Sequence, residues 1–99
     1  MQLDPLIRSA IANRQVIEFT YRGLHRVAEP HVYGLHKGKR QLLTYQIRGE
    51  SSSGGLPNWR RVDVDDISDV QALHESFPGP RPTVSGEHSS FDEVIAIVR

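Results

Sequence analysis

Six cations and two aromatic residues stand where they could hold an anion. Arg40, Arg48, Arg60 and Arg61, with Lys37 and Lys39, flank expected strand ends and a Gly/Ser-rich segment, and Tyr45 and Trp59 sit among them. Charge for a phosphate and a ring for a base are what a nucleotide or a single-stranded nucleic acid requires. The competing reading is a solvated surface whose arginines pair with acids elsewhere in the chain. Trp59, at a loop–strand junction, is the better stacking platform, and Tyr45 fits a core position. The candidate ligand-binding set is therefore Arg40, Arg48, Trp59, Arg60 and Arg61.

Other reactive residue types give weaker patterns. His25, His31 and His36 form a loose series, but zinc needs three or four ligands converging at about 2.0–2.1 Å for nitrogen. The chain has no cysteine to support them. Asp63, Asp65, Asp66 and Asp69 alternate with valines like the exposed face of a strand and lack the glycine-centred turn of a calcium loop. They are placed to pair with Arg48, Arg60 or Arg61 across strands. Ser51, Ser52 and Ser53 offer hydroxyls, yet a nucleophile needs a positioned base and a rigid turn, and this stretch is rich in Ser and Gly. Gly54-Gly55 lacks the lysine of a phosphate-binding loop. No residue set reads as catalytic, none as a metal site, and no cofactor is implied.

The 99 residues fit one domain with one modest core. Hydrophobic residues make up 37%, low enough that part of the chain should be loop. No apolar run approaches membrane-spanning length, and MQLDPLIRS lacks the apolar region of a signal peptide. A soluble cytoplasmic protein, with no membrane contact, is the expectation. Net charge is zero, but residues 1–61 carry ten basic and four acidic side chains and residues 62–99 two and eight. Either the halves attract each other in the fold, or a basic face is kept for an anionic partner.

These residues need elements to position them. Asp4-Pro5 is a helix start, with Leu6, Ile7, Ala10 and Ile11 on one face and an end near Asn13. Val16–Tyr21 reads as a first strand, with Ile17, Phe19 and Tyr21 on one side. Arg22-Gly23 is a turn, and a second strand runs from about His25 to Leu35, with Pro30 marking a bulge, edge or bend. Lys37-Gly38-Lys39 is the next turn, and Gln41–Arg48 the third strand. Residues 49–58 (GESSSGGLPN) read as a flexible loop suited to act as a lid. Trp59–Val64 resumes a strand, and Ile67, Val70 and Leu73 suggest a bulged final strand. Residues 78–88 form a Pro/Gly linker. Ser90-Phe91-Asp92-Glu93 then reads as a capping box opening a short helix with Phe91, Val94, Ile95 and Val98 as its apolar stripe. Such a helix must dock on the rest of the domain or on a second copy.

From about Leu6 to Phe77 the chain resembles a WYL domain, a small SH3-like or Sm-like barrel of bacterial transcriptional regulators. Tyr21 precedes the Arg22-Gly23 turn, and Arg26-Val27-Ala28-Glu29-Pro30 matches an R-x-x-E-P stretch. Gly38, Leu42 and Tyr45 match the family's glycine, the last residue of its signature and a downstream tyrosine. Ile67, Val70 and Leu73 match its closing apolar spacing, and FDEVIAIV is similar to the tail of standalone members. The signature itself stands as Arg40-Gln41-Leu42, without its Trp and Tyr. Two arginines that the family uses on a surface for nucleotides, nucleic acid or other anions fall on Asp63 and Asp66, which would repel phosphate.

The resulting expectation is a mostly β protein: a small SH3-like or Sm-like antiparallel barrel (residues 1–77) with an N-terminal helix, then a linker and a short C-terminal helix (residues 78–99). Its expected role is a noncatalytic ligand-binding or regulatory module for an anionic small molecule or nucleic acid. The alternative is a protein-interaction or homodimerisation module that has lost the ligand site.

Overall fold

The computed structural model describes residues 3–50, 55–81 and 91–99. Helix α1 (Leu3–Ala12) precedes β1 (Gln15–Tyr21), β2 (Leu24–His36), β3 (Lys39–Gly49) and β4 (Asn58–Asp63). A single 3-10 turn (Val64–Asp66) leads into β5 (Ile67–Ser76), and β6 (Glu93–Ile97) comes last. Every pairing is antiparallel, and the strands lie in the order β4-β3-β2-β1-β5, with β6 added to β2. No helix among the described residues is long and apolar enough to cross a membrane.

The hairpins follow from their turns. Arg22-Gly23 and Lys37-Gly38 are two-residue connections in which both residues have positive φ. That is the primed geometry whose twist matches the strands it joins. β2 is the spine of the sheet. Its nine consecutive buried residues, Arg26–Gly34, show that both of its faces are covered. On one edge it runs along β3 for almost its whole length. Its other edge is shared: β1 pairs from Leu24 to Ala28, and β6 takes over from Val32 to Leu35. Between them lies Glu29-Pro30-His31, where the register with β3 slips by one residue after Pro30. The slip is the bulge that Pro30, with no N–H to give, makes cheap.

Two expectations are corrected. The sheet is open rather than closed into a barrel, with β4 and β5 at its two ends. In place of a ladder between those ends, side chains bridge the open side. The Asp63 N–H reaches the Tyr21 hydroxyl at 3.5 Å, and the Arg48 guanidinium on β3 holds Glu75 on β5 at 2.6 and 3.0 Å. The expected C-terminal helix is instead β6. Val94, Ile95, Ile97 and Val98 are β-branched, which lowers helix propensity and suits a pleated surface. The vacant stretch of β2 supplies the hydrogen bonds that a helix of about nine residues could not sustain alone. β6 comes so close that a Cβ on Gly34 would collide with the Glu93 carbonyl oxygen. Ser90, the expected cap, and the linker from residue 82 to 88 lie outside the described residues.

The main core joins Ile7, Ala10 and Ile11 of α1 to Val16, Ile17, Phe19, Tyr33, Leu42, Val62 and Val64. Val32, Leu43 and Phe91 form a smaller cluster, with Trp59 and Ile97 against it. Asp4 anchors the helix laterally rather than capping it. Its Oδ1 accepts from the buried Tyr33 hydroxyl at 2.7 Å and its Oδ2 from Arg8 Nε at 2.8 Å. The Tyr33 bond, then the Arg8 bond, holds the Asp4 carboxyl below its usual range. Burial, then the bond to Asp4, raises the Tyr33 phenol.

The sign of the pH dependence follows. Asp4 contributes stability above about pH 3.9, its unfolded value, which is lost as pH falls through its lowered folded pKa. Tyr33 contributes below about pH 10, and this is lost as pH rises through its raised folded pKa. Asp4→Asn should flatten the acid limb of the melting-temperature profile between about pH 5 and pH 2. Superimposable acid limbs for the two proteins would rule this linkage out.

Candidate functional site

The five candidate ligand residues do not form one surface. Thr44 pairs with Arg60 and Leu43 with Arg61, so strand alternation sends the two neighbouring arginines to opposite faces of β4. Arg61 donates from Nε to Gln41 Oε1 at 2.6 Å, and its guanidinium lies 3.9 Å from the centre of the Phe91 ring. Arg60 donates from Nη1 to the Trp59 carbonyl at 3.1 Å. Arg40 pairs with Asp65 at 2.8 Å and reaches the Tyr33 hydroxyl, while Arg48 holds Glu75. The basic and acidic halves of the sequence thus meet in these pairs. Trp59 packs edge-on against His31, with ring centres 4.8 Å apart, and at 5.1 Å from Tyr45.

The histidines also disperse. His25 is exposed and 3.2 Å from Glu18 Oε2, whereas His31 is fully buried at the bulge, 3.3 Å from Glu29 Oε1. Among the described residues no three His, Asp or Glu side chains form a group able to hold a metal ion. Asp63 accepts from Gln41 Nε2 at 2.8 Å, and Asp66 and Asp69 face solvent. Ser51, Ser52, Ser53 and Gly54 lie outside the described residues.

Two clusters emerge that the spacing of residue types did not single out. One is a latch. Glu29, 2% exposed at the gap between β1 and β6, accepts from Arg81 Nε at 2.5 Å and from Nη2 at 2.8 Å. The Arg81 guanidinium also lies 4.9 Å from the Tyr45 ring centre. His31, 3.3 Å from the same carboxylate, packs in turn against the Trp59 and Phe77 rings. The Glu29–Arg81 pair fastens the segment after β5 to the spine.

The other cluster surrounds Arg26, at the end of the sheet where β1, β2, β3 and β4 meet. Arg26 is 5% exposed. Its only hydrogen bond among the described residues is a long one, 3.4 Å from Nη1 to Gln46 Oε1, and its Nε has no partner. Among the described residues no carboxylate pairs with it, and its charged neighbours are Arg60 and Arg22. Burial, then repulsion from Arg60, lowers its pKa. Arg22 and Arg26 lie 5.1 and 5.2 Å from the centre of the Tyr21 ring. The Gln46 amide is held in place, because its Nε2 donates to the Arg48 and Glu50 carbonyls at 3.1 and 2.8 Å. Its oxygen is thereby presented to Arg26. Gly49 closes the cluster: at φ +93° it sits so near the spine that a Cβ would lie 2.5 Å from the His25 carbonyl oxygen and 2.9 Å from Arg26 Cα.

Arg26 had a signal. Once the two-residue turn is granted, counting outward pairs Tyr21 with Leu24 and Phe19 with Arg26. The register therefore sets a guanidinium across from the apolar face of β1. The latch had none, because Arg81 is 52 residues from Glu29 in the chain.

Removing one partner of a buried pair strands the other. Arg81→Ala should lower unfolding stability by about 2–4 kcal/mol, reduced toward the lower figure because Arg81 is partly exposed. Adding Glu29→Gln should recover most of the loss. Additive losses in a double-mutant cycle by denaturant unfolding would show that the two side chains are not coupled.

No protein-family model, no curated protein and no solved structure matches the chain, so a reading of the site stands on its geometry.

Proposed function

We propose that the protein is a noncatalytic module that binds an anionic group, a phosphate or carboxylate, at Arg26, with Arg60 and Arg22 completing the charge and the Tyr21 ring beside it. The observation that carries this reading is an arginine 5% exposed, with no acid beside it among the described residues and other arginines as its charged neighbours. Burying an unpaired charge is expensive, and a structure that keeps one gains by supplying an anion from outside. Arg is suited to the task because its fork matches phosphate and carboxylate geometry. The helix ahead of the first strand and the consecutive antiparallel pairing of β1, β2 and β3 support reading the chain as an opened relative of the SH3-like or Sm-like WYL domain. Arg26 belongs to the R-x-x-E-P stretch that carries part of that resemblance. The anion site would then be built without the arginine positions occupied by Asp63 and Asp66.

The test uses stability as its readout. Inorganic phosphate, a nucleoside monophosphate and a short single-stranded oligonucleotide are titrated against the folded protein. A ligand at about a hundred times its Kd should raise the melting temperature by roughly 10 °C, and the rise should shrink with added salt. Arg26→Met replaces the guanidinium with an apolar side chain of similar length. It should melt at or above the wild-type temperature without ligand and lose the ligand-induced rise. A wild type unmoved by all three compounds, or an Arg26→Met protein that retains the full rise, would overturn the proposal.

A further inference from the structure

The C-terminal strand leaves a second binding surface that is separate from the Arg26 cluster. β6 pairs with β2 along one edge, and among the described residues its other edge has no partner. Beside that edge lies a groove of about 320 Å³ between α1 and β6, lined by Arg8, Ile11, Ala12, residues 94–97 and Arg99. A neighbouring hollow of about 400 Å³ adds Arg14. Val94, at 46% exposure, is the one large hydrophobic side chain among the described residues that is exposed. An open strand edge with an apolar side chain on it is a template for another strand.

The charge pattern selects the occupant. Asp92 and Glu93 stand at one end of β6, both exposed, and Arg99 stands just beyond the other end. The groove walls hold three arginines, Arg8, Arg14 and Arg99, and no acid. Arg8 is paired with Asp4, and Arg14 donates from Nε to the Arg99 carbonyl at 2.9 Å. A strand that is acidic at its start and basic at its end is self-complementary when laid antiparallel on a copy of itself. Centred on Ile95, that pairing places Glu93 opposite Ile97 and diagonal to Arg99 of the second molecule, within reach of long side chains. It also sets Val94 opposite Ala96. A twofold contact of this kind is closed and self-limiting.

We propose that two copies of this chain associate through antiparallel β6–β6 pairing, with Val94 covered at the seam and Glu93 meeting the arginine end of its partner. The pairing is short, because the ladder between β6 and β2 carries a bulge at Ile95 that twists the strand. The dimer is accordingly concentration-dependent rather than permanent. It does not involve Arg26.

Sedimentation velocity over a dilution series tests this. The wild type should shift from monomer to dimer as its concentration rises into the micromolar range. Val94→Lys, at an exposed position, should weaken the dimer at least tenfold with an unchanged circular dichroism spectrum. Glu93→Arg should weaken it as well, and adding Arg99→Glu to that variant should restore it, which a merely structural effect would not do. A wild type that stays monomeric throughout, or a dimer that both single variants leave intact, would overturn the proposal. Failure of this test leaves the Arg26 site unaffected, since phosphate titration of the monomer reads that site alone.

Discussion

One edge of β2 has to serve two strands. β1 occupies it as far as Ala28 and β6 from Val32 onward, and the chain between them must change partners without exposing its backbone. Pro30 removes one donor from that transition, and the bulge after it re-aims His31. Val98 gives its N–H to the His31 carbonyl at 2.9 Å. The Glu29 side chain turns into the gap and takes Arg81. The open sheet, the placement of the last strand and the sealing of the aromatic cluster all follow from this handover.

The molecule treats its buried charges in two ways. At Glu29 the buried carboxylate meets a two-pronged guanidinium whose own side chain is partly exposed, so the acid has its countercharge within the chain. At Arg26 the nearest charged groups repel, and the one amide oxygen offered is held by Gln46 at a long distance. Both sit on the same strand, three residues apart, yet among the described residues one has its countercharge and the other does not. The exposed pairs Arg40–Asp65 and Arg48–Glu75 are screened by solvent and serve to tie the ends of the sheet together more than to stabilise it.

Much of this was written locally. The alternation of Ile17, Phe19 and Tyr21, the two X-Gly turns and Pro30 place the first three strands and the bulge to within a residue or two. Asp4-Pro5 locates α1, although Asp4 spends its carboxylate on Tyr33. The terminal FDEVIAIV satisfies a helical stripe and a strand equally, and only the vacancy on β2, a non-local fact, decides between them. The arginines were legible as a set but not as a site. Residue type does not reveal which face of a strand a side chain takes, and Arg60 and Arg61 part company on that point. Arg26 was within reach of the same counting, through its register with Phe19.

The handover on β2 also makes β1 and β6 neighbours on one edge. The proline between them is a border that neither can cross by hydrogen bonding through its missing N–H. The last strand of the chain therefore keeps its place by the first strand's restraint. Carried on in its own register from Ile17–Ala28, β1 would bring Gln15 only to Pro30, two residues short of the Val32 where β6 begins.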